Sequence, residues 1–485
     1  MLVARVHDME CRVLHNHLNG RLTAASVAHG PSVVPRRLSY EVAKPQDGSN
    51  HWSVTENNRN NARNVNFNNG NANNNNKYNG NVVRPVAACR DCEVPADFIS
   101  SVWEAYHDCL RGKRRSEQAV EYMQIAKEDI PRLAHELWTG AYKPGTSTCF
   151  LVRYPKLREV FAAHFRDRIV HHWVCLRLEP LFEQRFISQG NVSFNCRKGF
   201  GTDKAVEYVA EGMRRVSGNY HKPAWVFRGD LVGFFMSIDK QRLWALLERF
   251  TIRKYRGDYK EILLRTTKAI VMHCPEKDCV LNSPPAWWLN LAPNKSLFTM
   301  ETGMPIGNLT TQLFANFFMS HFVAYVQWLY RHKNYCFAQF VDDFAIVCDD
   351  LQFLLDSLPK IEAFLRDKLG LTLHKNKRYL QPVSHGILFV GTYIKPGRLY
   401  LSNRTVGRMK ERCEGFRRFF AQGPDGNDLQ HMECVMNSYL GFCRKRQTYN
   451  LRKNTLPDGL FDYFYIKGHY ESVRLKDRCR VLSTL

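Results

Sequence analysis

The stretch Phe340-Val341-Asp342-Asp343-Phe344 places two adjacent carboxylates between two apolar runs, Asn334 to Phe340 and Phe344 to Cys348. The alternating pattern of these runs predicts two strands of a β-hairpin with the acids at its tip. Two like charges in apolar surroundings are unfavourable unless a cation lies on them. The tip is therefore a candidate site for a divalent metal ion, although acidic turns between strands are also common without any function.

A further carboxylate lies in a similar setting upstream. The segment from Ala224 is predicted to be a strand that ends at Asp230, and Asp239 is predicted to cap the helix that follows. One acid at a strand end and an acid pair on a hairpin make three oxygen ligands. Such a set can hold two Mg²⁺ ions roughly 3.5 to 4 Å apart for in-line phosphoryl transfer.

Composition favours an enzyme that acts on nucleic acid. The chain has 485 residues, which is enough for two to three domains. Its formal charge of +23 indicates a polyanionic partner. Its 15 scattered cysteines, with no recognisable secretory signal, favour a reducing cytoplasm. The uncharged run Leu313 to Tyr330 is long enough for a membrane span, but interrupting polar residues favour a buried helix and no membrane association.

The order of three motifs resembles the palm of a reverse transcriptase: Asp230, then Gly303 to Gln312, then Phe340 to Asp343. More narrowly, Ile306-Gly307-Asn308-Leu309-Thr310-Thr311-Gln312 is similar to the Ile-Gly-Asn-Leu-Thr-Ser-Gln motif of reverse transcriptases from bacterial and phage diversity-generating retroelements. Thr311 replaces the serine of that motif and keeps the hydroxyl. Six ordered motifs carry the resemblance over about residues 97–455.

The resemblance implies an α+β right-hand polymerase fold, with fingers and palm formed by an antiparallel sheet backed by helices, and a small helical thumb. We accordingly expect an N-terminal extension over residues 1–93, N-terminal helices and fingers over 94–222, the palm over 223–398, and the thumb with a C-terminal tail over 399–485.

The resemblance also implies roles for particular residues. It makes Asp230, Asp342 and Asp343 catalytic, together with Lys377, or failing that Lys375, as a proton donor to pyrophosphate. The same three acids and the carbonyl of Leu231 would bind two Mg²⁺ ions, with Mn²⁺ as a possible substitute. The implied nucleotide-binding residues are Arg197, Lys198, Phe235, Ile306, Gly307 and Gln312, and the implied primer grip is Phe389, Val390 and Gly391.

Two of these residues carry expectations about selectivity. Phe235 stands where the family places the ring that excludes a ribose 2′ hydroxyl. Ile306 stands where other reverse transcriptases have an amide side chain, and it can offer the incoming nucleotide only shape and apolar contact. In the family this replacement accompanies misincorporation opposite template adenines.

An asparagine-rich segment precedes the predicted polymerase. Half of the residues from Asn50 to Asn81 are asparagine, with almost no aliphatic side chains, so we expect the segment to be disordered. Retroelement template repeats are rich in adenine, and asparagine codons begin with two adenines. We therefore interpret residues from about Asn50 to Val86 as a template repeat translated in frame.

The function implied is RNA-directed synthesis of adenine-mutagenised cDNA for diversity-generating retrohoming. Expected partners are a template-repeat RNA, a DNA or RNA primer, dNTPs and a small basic accessory variability protein, in the cytoplasm of a bacterium or phage-infected host. A retron, group II intron-like or phage-defence reverse transcriptase is the nearest alternative. A non-catalytic RNA-binding protein on a polymerase fold is an alternative from another class.

Overall fold

The computed structural model describes residues 93–153, 156–424 and 426–480. The asparagine-rich segment and the rest of the predicted extension up to residue 92 lie outside these ranges. The helices are α1 (Ala96–Leu110), α2 (Glu117–Thr139), α3 (Phe165–Ser188), α4 (Thr202–Val216), α5 (Phe234–Ser237), α6 (Lys240–Lys254), α7 (Lys260–Met272), α8 (Pro285–Trp288), α9 (Leu309–Leu329), α10 (Leu351–Phe364), α11 (Asn403–Gln422), α12 (Gly426–Cys443), α13 (Tyr449–Thr455), α14 (Leu460–Tyr463) and α15 (Asp477–Arg480).

The strands are β1 (Ser147–Val152), β2 (Arg158–Ala162), β3 (Trp225–Asp230), β4 (Cys279–Leu281), β5 (Tyr335–Phe340), β6 (Asp343–Cys348), β7 (Tyr379–Pro382), β8 (Ile387–Phe389), β9 (Thr392–Lys395), β10 (Arg398–Leu401), β11 (Phe464–Lys467) and β12 (Ser472–Leu475). This mixture of helices with separate, mostly antiparallel sheets confirms the predicted α+β class.

A four-stranded antiparallel sheet, in the order β5-β6-β3-β7, is the centre of the described structure. The predicted hairpin is confirmed: Phe340 pairs with Asp343, so only Val341 and Asp342 form the turn. The predicted strand before Asp230 is confirmed as β3, and Asp239 caps α6 by accepting hydrogen bonds from two backbone amides.

Both faces of this sheet are buried, which explains the long apolar runs in its sequence. On one face Val226, Ala338 and Val347 pack in a cluster with α4. The approach of α4 is so close that a Cβ atom on Gly212 would lie 2.2 Å from the sulfur of Cys336. On the other face Phe344 packs edge to face on Phe322 of α9, with ring centroids 5.0 Å apart.

The uncharged run predicted to be a buried helix is α9. Most of its side chains are buried, and it packs on α3, where Phe182 and Phe317 stack with centroids 4.5 Å apart. Among the described residues, no helix is long and apolar enough to cross a membrane. The helical region predicted from Ala96 is also confirmed, as α1 and α2.

A smaller sheet has the strand order β2-β1-β4. Two of its strands, β1 and β2, precede β3 in the sequence, and β4 follows it. Its third strand comes from the segment between α7 and α9, whose role could not be predicted from the sequence, and β4 pairs in parallel with β1. The buried carboxylate of Glu159 fixes this segment, because it accepts hydrogen bonds from the Ser296 hydroxyl (2.6 Å) and the Leu297 amide (2.8 Å).

The C-terminal part is mainly helical, as predicted, but it contains a hairpin, β11–β12, before the short helix α15, and this hairpin was not predicted from the sequence. Asn437 of α12 holds this hairpin by two hydrogen bonds with the backbone of Val473, of 2.8 and 2.9 Å. The buried Arg446 connects the end of α12 to the rest of the protein through Thr392 (2.9 Å) and Asp203 (3.0 Å).

Candidate active site

The three predicted carboxylates meet at one end of the central sheet. Asp230 is the last residue of β3 and pairs directly with Asp343, the first residue of β6. Asp342 occupies the turn beside them, and its carbonyl accepts a hydrogen bond from the Leu231 amide (3.2 Å). Strand register alone therefore brings together acids that are more than one hundred residues apart in the sequence.

The carboxylates affect one another's protonation. Burial, as the largest cause, and the neighbouring charges of Asp343 and Asp230 together raise the pKa of Asp342 to about 6. Burial also raises the pKa of Asp343, although the guanidinium of Arg228 opposes that shift. The site thus concentrates negative charge that a bound cation would stabilise.

Two cations already contact the outer acids. Arg228 donates to Asp343 Oδ1 from Nη2 (2.7 Å) and Nε (3.2 Å). Lys377 forms an ion pair with Asp230. The chain just before this lysine is fixed next to β3, because the His374 amide donates to the Asp230 carbonyl (2.8 Å). The structure therefore brings Lys377 to the acids, as the sequence analysis expected of a residue near the reacting phosphates.

A preformed three-acid metal site is not present. Within the described ranges, no group of three or more His, Cys, Asp or Glu side chains is arranged to hold a metal ion. Asp343 is ion-paired with Arg228, as Asp230 is with Lys377, so a metal ion would compete with a bound cation at either carboxylate, and the role of Asp343 as a metal ligand stays a prediction. The remaining donors nevertheless suit Mg²⁺, which prefers oxygen ligands.

These donors are Asp230, Asp342 and the backbone carbonyl of Leu231. Leu231 and Leu373 form an antiparallel bridge, in which the hydrogen bonds are made by the residues on either side of them. The amide of Leu231 itself donates to the Asp342 carbonyl. Because the N–H and C=O groups of one strand residue point to the same side, the Leu231 carbonyl also faces the Asp342 side. A metal ion on Asp230 would displace Lys377 from that carboxylate.

Two further cations, Lys156 and Arg158, lie at this site, and no role was predicted for them from the sequence. Burial lowers the pKa of Lys156, and the nearby charges of Lys377, Arg404 and Arg158 lower it as well. The charge of Asp230 acts on Lys156 in the opposite direction. Arg158 lies near enough to Asp342 to lower the pKa of that acid. Cations that face a cluster of acids form a suitable place for a triphosphate with its metal ions.

The prediction that Arg197 binds the triphosphate is wrong in this structure. Its guanidinium is buried and donates to Glu183 Oε2 (2.9 Å), the Ser193 carbonyl (2.7 Å) and Asn191 Oδ1 (2.7 Å). Its plane also lies over the ring of Phe200. Lys198 is exposed, 3.5 Å from Glu179, so neither residue is brought to the acids.

The neighbouring rings of Phe234 and Phe235 differ in how deeply they are buried. Phe234 is buried in the core, whereas Phe235 is half-buried, and the two rings pack edge to face. The carbonyl of Phe235 accepts a hydrogen bond from the Met304 amide (2.8 Å), which connects it to the segment that carries Ile306.

Ile306 and Gly307 lie against the small sheet. The side chain of Ile306 packs on the cluster of Cys149, Phe161, Met236 and Leu297, and its carbonyl accepts from the Phe161 amide (2.8 Å). Gly307 has φ +127°, and a Cβ atom there would lie 2.5 Å from the Phe161 carbonyl oxygen. Glycine is therefore required at this position.

Gln312 and the predicted primer grip lie in other surroundings. The amide oxygen of Gln312 accepts from the thiol of Cys196 (3.2 Å). Val390 and Gly391 form the turn between β8 and β9, both with positive φ. Phe389 is fully buried, so its side chain supports this turn from the core, and the assignment of these residues as the primer grip stays a prediction.

Acids on the adjacent ends of two strands of a helix-backed antiparallel sheet, faced by cations, define the palm of a nucleotidyl-transferring polymerase. Residues 155–394 match the family described as "Reverse transcriptase (RNA-dependent DNA polymerase)". This part of the chain is a reverse transcriptase domain, and it contains Asp230, Asp342, Asp343, Lys377 and Ile306. No curated protein sequence matches the chain significantly.

Solved telomerase structures show a distant similarity. A telomerase from Candida albicans in complex with a fragment of telomeric RNA has 13% sequence identity and a TM-score of 0.40, over 66% of this chain and 58% of the telomerase. A C-terminally truncated telomerase from Candida tropicalis has 11% identity and a TM-score of 0.39, over 53% of this chain and 55% of the telomerase. The chain thus spans little more than half the length of these telomerases.

Proposed function

We propose that the protein is an RNA-directed DNA polymerase that copies a template-repeat RNA into adenine-mutagenised cDNA for a diversity-generating retroelement. The observation that supports polymerisation best is the meeting of Asp230 and Asp342 at one end of the sheet of a reverse transcriptase domain. The resemblance of Ile306 to Gln312 to the retroelement motif supports the narrower assignment.

The chemistry requires little covalent participation by the protein. In the proposed mechanism Asp230, Asp342 and the Leu231 carbonyl would hold two Mg²⁺ ions, for which Mn²⁺ could substitute. When bound, the ions supply charge stabilisation for the primer hydroxyl and for the departing pyrophosphate. Placement of the carboxylates dominates the rate, since the phosphoryl group needs an in-line approach.

The surrounding cations divide the remaining work. Lys156 and Arg158 attract the triphosphate, a role that replaces the one first expected of Arg197. The ammonium of Lys377, which is ion-paired with Asp230, would donate a proton to the pyrophosphate oxygen as that group leaves, and the metal ions would compete with it for the Asp230 carboxylate. Arg228 keeps Asp343 in place beside the site.

Nucleotide selection follows from two apolar side chains. The half-buried ring of Phe235 fills the space of a 2′ hydroxyl and so favours deoxyribonucleotides. Ile306 rests on an apolar cluster and offers no hydrogen bond with its side chain, so base-pair geometry is tested less strictly. This loss of discrimination is our account of errors at template adenines.

We propose the same partners as the resemblance implies: a template-repeat RNA, a DNA or RNA primer, dNTPs and a small basic accessory protein, in the cytoplasm of the host. The deciding experiment is cDNA synthesis by the full chain from its cognate template-repeat RNA, with Mg²⁺ and dNTPs, with and without the neighbouring accessory protein, followed by product sequencing.

Errors concentrated at template adenines, and reduced by Ile306→Gln, would support the proposal. Faithful cDNA from the wild type would assign the protein to the retron or phage-defence class. If neither condition yields cDNA, the non-catalytic RNA-binding class would replace the polymerase. Sequencing the genomic locus tests the interpretation of residues 50–86, which requires a near-copy elsewhere that differs at adenines.

A further inference from the structure

The turn that carries Asp342 has an unusual backbone. Val341 adopts φ 56°, in the left-handed region that β-branched residues avoid. Two-residue hairpin turns of this kind favour glycine or asparagine. A valine at this position therefore needs support from its surroundings.

Two buried amide side chains give that support. The Val341 amide donates to Asn195 Oδ1 (2.9 Å), and the Val341 carbonyl accepts from Gln339 Nε2 (2.7 Å). Gln339 is fully buried, and Asn195 is 3% exposed. The backbone amide and carbonyl of Val341 are not paired in the strand ladder, so these two side chains take the place of water.

The two side chains are themselves held from several directions. Gln339 Oε1 accepts from the Ser193 hydroxyl (2.7 Å), and the Asn195 carbonyl accepts from Asn316 Nδ2 of α9 (2.7 Å). Arg197 donates to the Ser193 carbonyl, so its buried guanidinium anchors the loop that presents Asn195. The loop, α9 and the hairpin thus form one connected polar network.

We propose that Asn195, assisted by Gln339, is a positioning residue that holds the strained Val341 turn and so fixes the carboxylate of Asp342. Asn195 acts through the backbone and does not touch the reacting atoms. The inference rests on the proposed polymerase function, because fixing Asp342 matters only where that carboxylate binds the catalytic ions.

The test measures single-turnover primer extension on an RNA template by the full chain, as a function of Mg²⁺ concentration. We expect Asn195→Ala to lower the maximal rate about 10-fold or more and to raise the Mg²⁺ concentration that gives half the maximal rate. The KM for dNTP should change little. A purely structural role for Asn195 would reduce the active fraction but would not shift the Mg²⁺ dependence.

Rescue provides a sharper readout. Glycine adopts positive φ without strain, so adding Val341→Gly to Asn195→Ala should restore much of the rate and of the Mg²⁺ dependence. Val341→Gly in the wild-type background needs no Asn195 clamp and should retain most of the activity. This single variant keeps the test informative even if Asn195→Ala does not fold.

Asn437→Ala is a matched control, since Asn437 makes the same kind of paired contact with a valine backbone far along the chain. It should leave the Mg²⁺ dependence unchanged. The inference is overturned if Asn195→Ala keeps the wild-type rate, if its loss comes without a Mg²⁺ shift and without rescue, or if Val341→Gly alone is inactive. An inactive wild type would instead refute the proposed polymerase function.

Discussion

Replacing Asp342 by asparagine should stabilise the metal-free protein while it abolishes catalysis. The pKa of this carboxyl rises from 3.8 to about 6 on folding, because of burial and of its neighbours Asp343 and Asp230. Between these values the folded state binds more protons than the unfolded state, so the free energy of unfolding falls as pH rises through this window. Above pH 6 the whole penalty is present.

The size of the effect follows from the gap between the two pKa values. About two pKa units correspond to about 3 kcal/mol, and partial exposure of Asp342 reduces the expected penalty to about 1 to 2 kcal/mol. In EDTA at pH 8, Asp342→Asn should therefore raise the free energy of unfolding by about 1 to 2 kcal/mol. At pH 5 the difference should shrink, because the wild-type carboxyl is then mostly protonated.

Urea unfolding at both pH values measures these differences. Asp349→Asn is the control, since Asp349 lies exposed at the opposite end of the same hairpin. Its carboxylate accepts a hydrogen bond from the side-chain amide of Asn334. Mg²⁺ should stabilise the wild type and the control but not Asp342→Asn. The reasoning is refuted if Asp342→Asn is less stable than the wild type at pH 8, or if its effect does not depend on pH.

Substitutions at three other positions test separate parts of the site. Phe235→Ala should reduce discrimination against ribonucleotides roughly 10- to 100-fold, measured as the ratio of kcat/KM for dNTP and rNTP, and unchanged discrimination would remove its selectivity role. Lys377→Ala should lower the single-turnover rate about 100-fold, because the proton donor to pyrophosphate is lost. It should not weaken Mg²⁺ binding, because the lysine competes with the metal for Asp230, and weaker Mg²⁺ binding would contradict this. Lys156→Gln should raise the KM for dNTP about 10-fold, while Lys156→Arg should not, and equal effects of both would show that charge is not what matters.

The sequence predicted the centre of this site well because its signals are local. The hairpin at Asp342 and the strand that ends at Asp230 were visible as short apolar runs next to acids. The pairing of β3 with β6 then brings these acids together. The helix α9 was likewise predictable from the length of its uncharged run.

The errors concern the direction and partners of side chains. Arg197 lies in a glycine-punctuated turn that could present it to a ligand, but a partner 14 residues earlier, Glu183, draws it into the interior. The clamp on Val341 depends on Asn195, which is 146 residues away in the sequence. No local pattern marks such a contact, and the strained φ of Val341 is itself invisible in the sequence.

Strand β4 escaped prediction for a related reason. It is three residues long and pairs in parallel with β1, so its position depends on a partner more than one hundred residues earlier. The buried Glu159, which holds the same segment, looks in the sequence like an ordinary charged strand residue.

Primer extension on an RNA template with Mg²⁺ and dNTPs, comparing wild type, Asp230→Asn and Asp349→Asn, tests the central claim most directly. We predict cDNA from the wild type and from Asp349→Asn, and a rate at least about 100-fold lower from Asp230→Asn with its fold intact. Equal cDNA synthesis by Asp230→Asn and the wild type would contradict the claim that the carboxylates at this end of the sheet perform the chemistry.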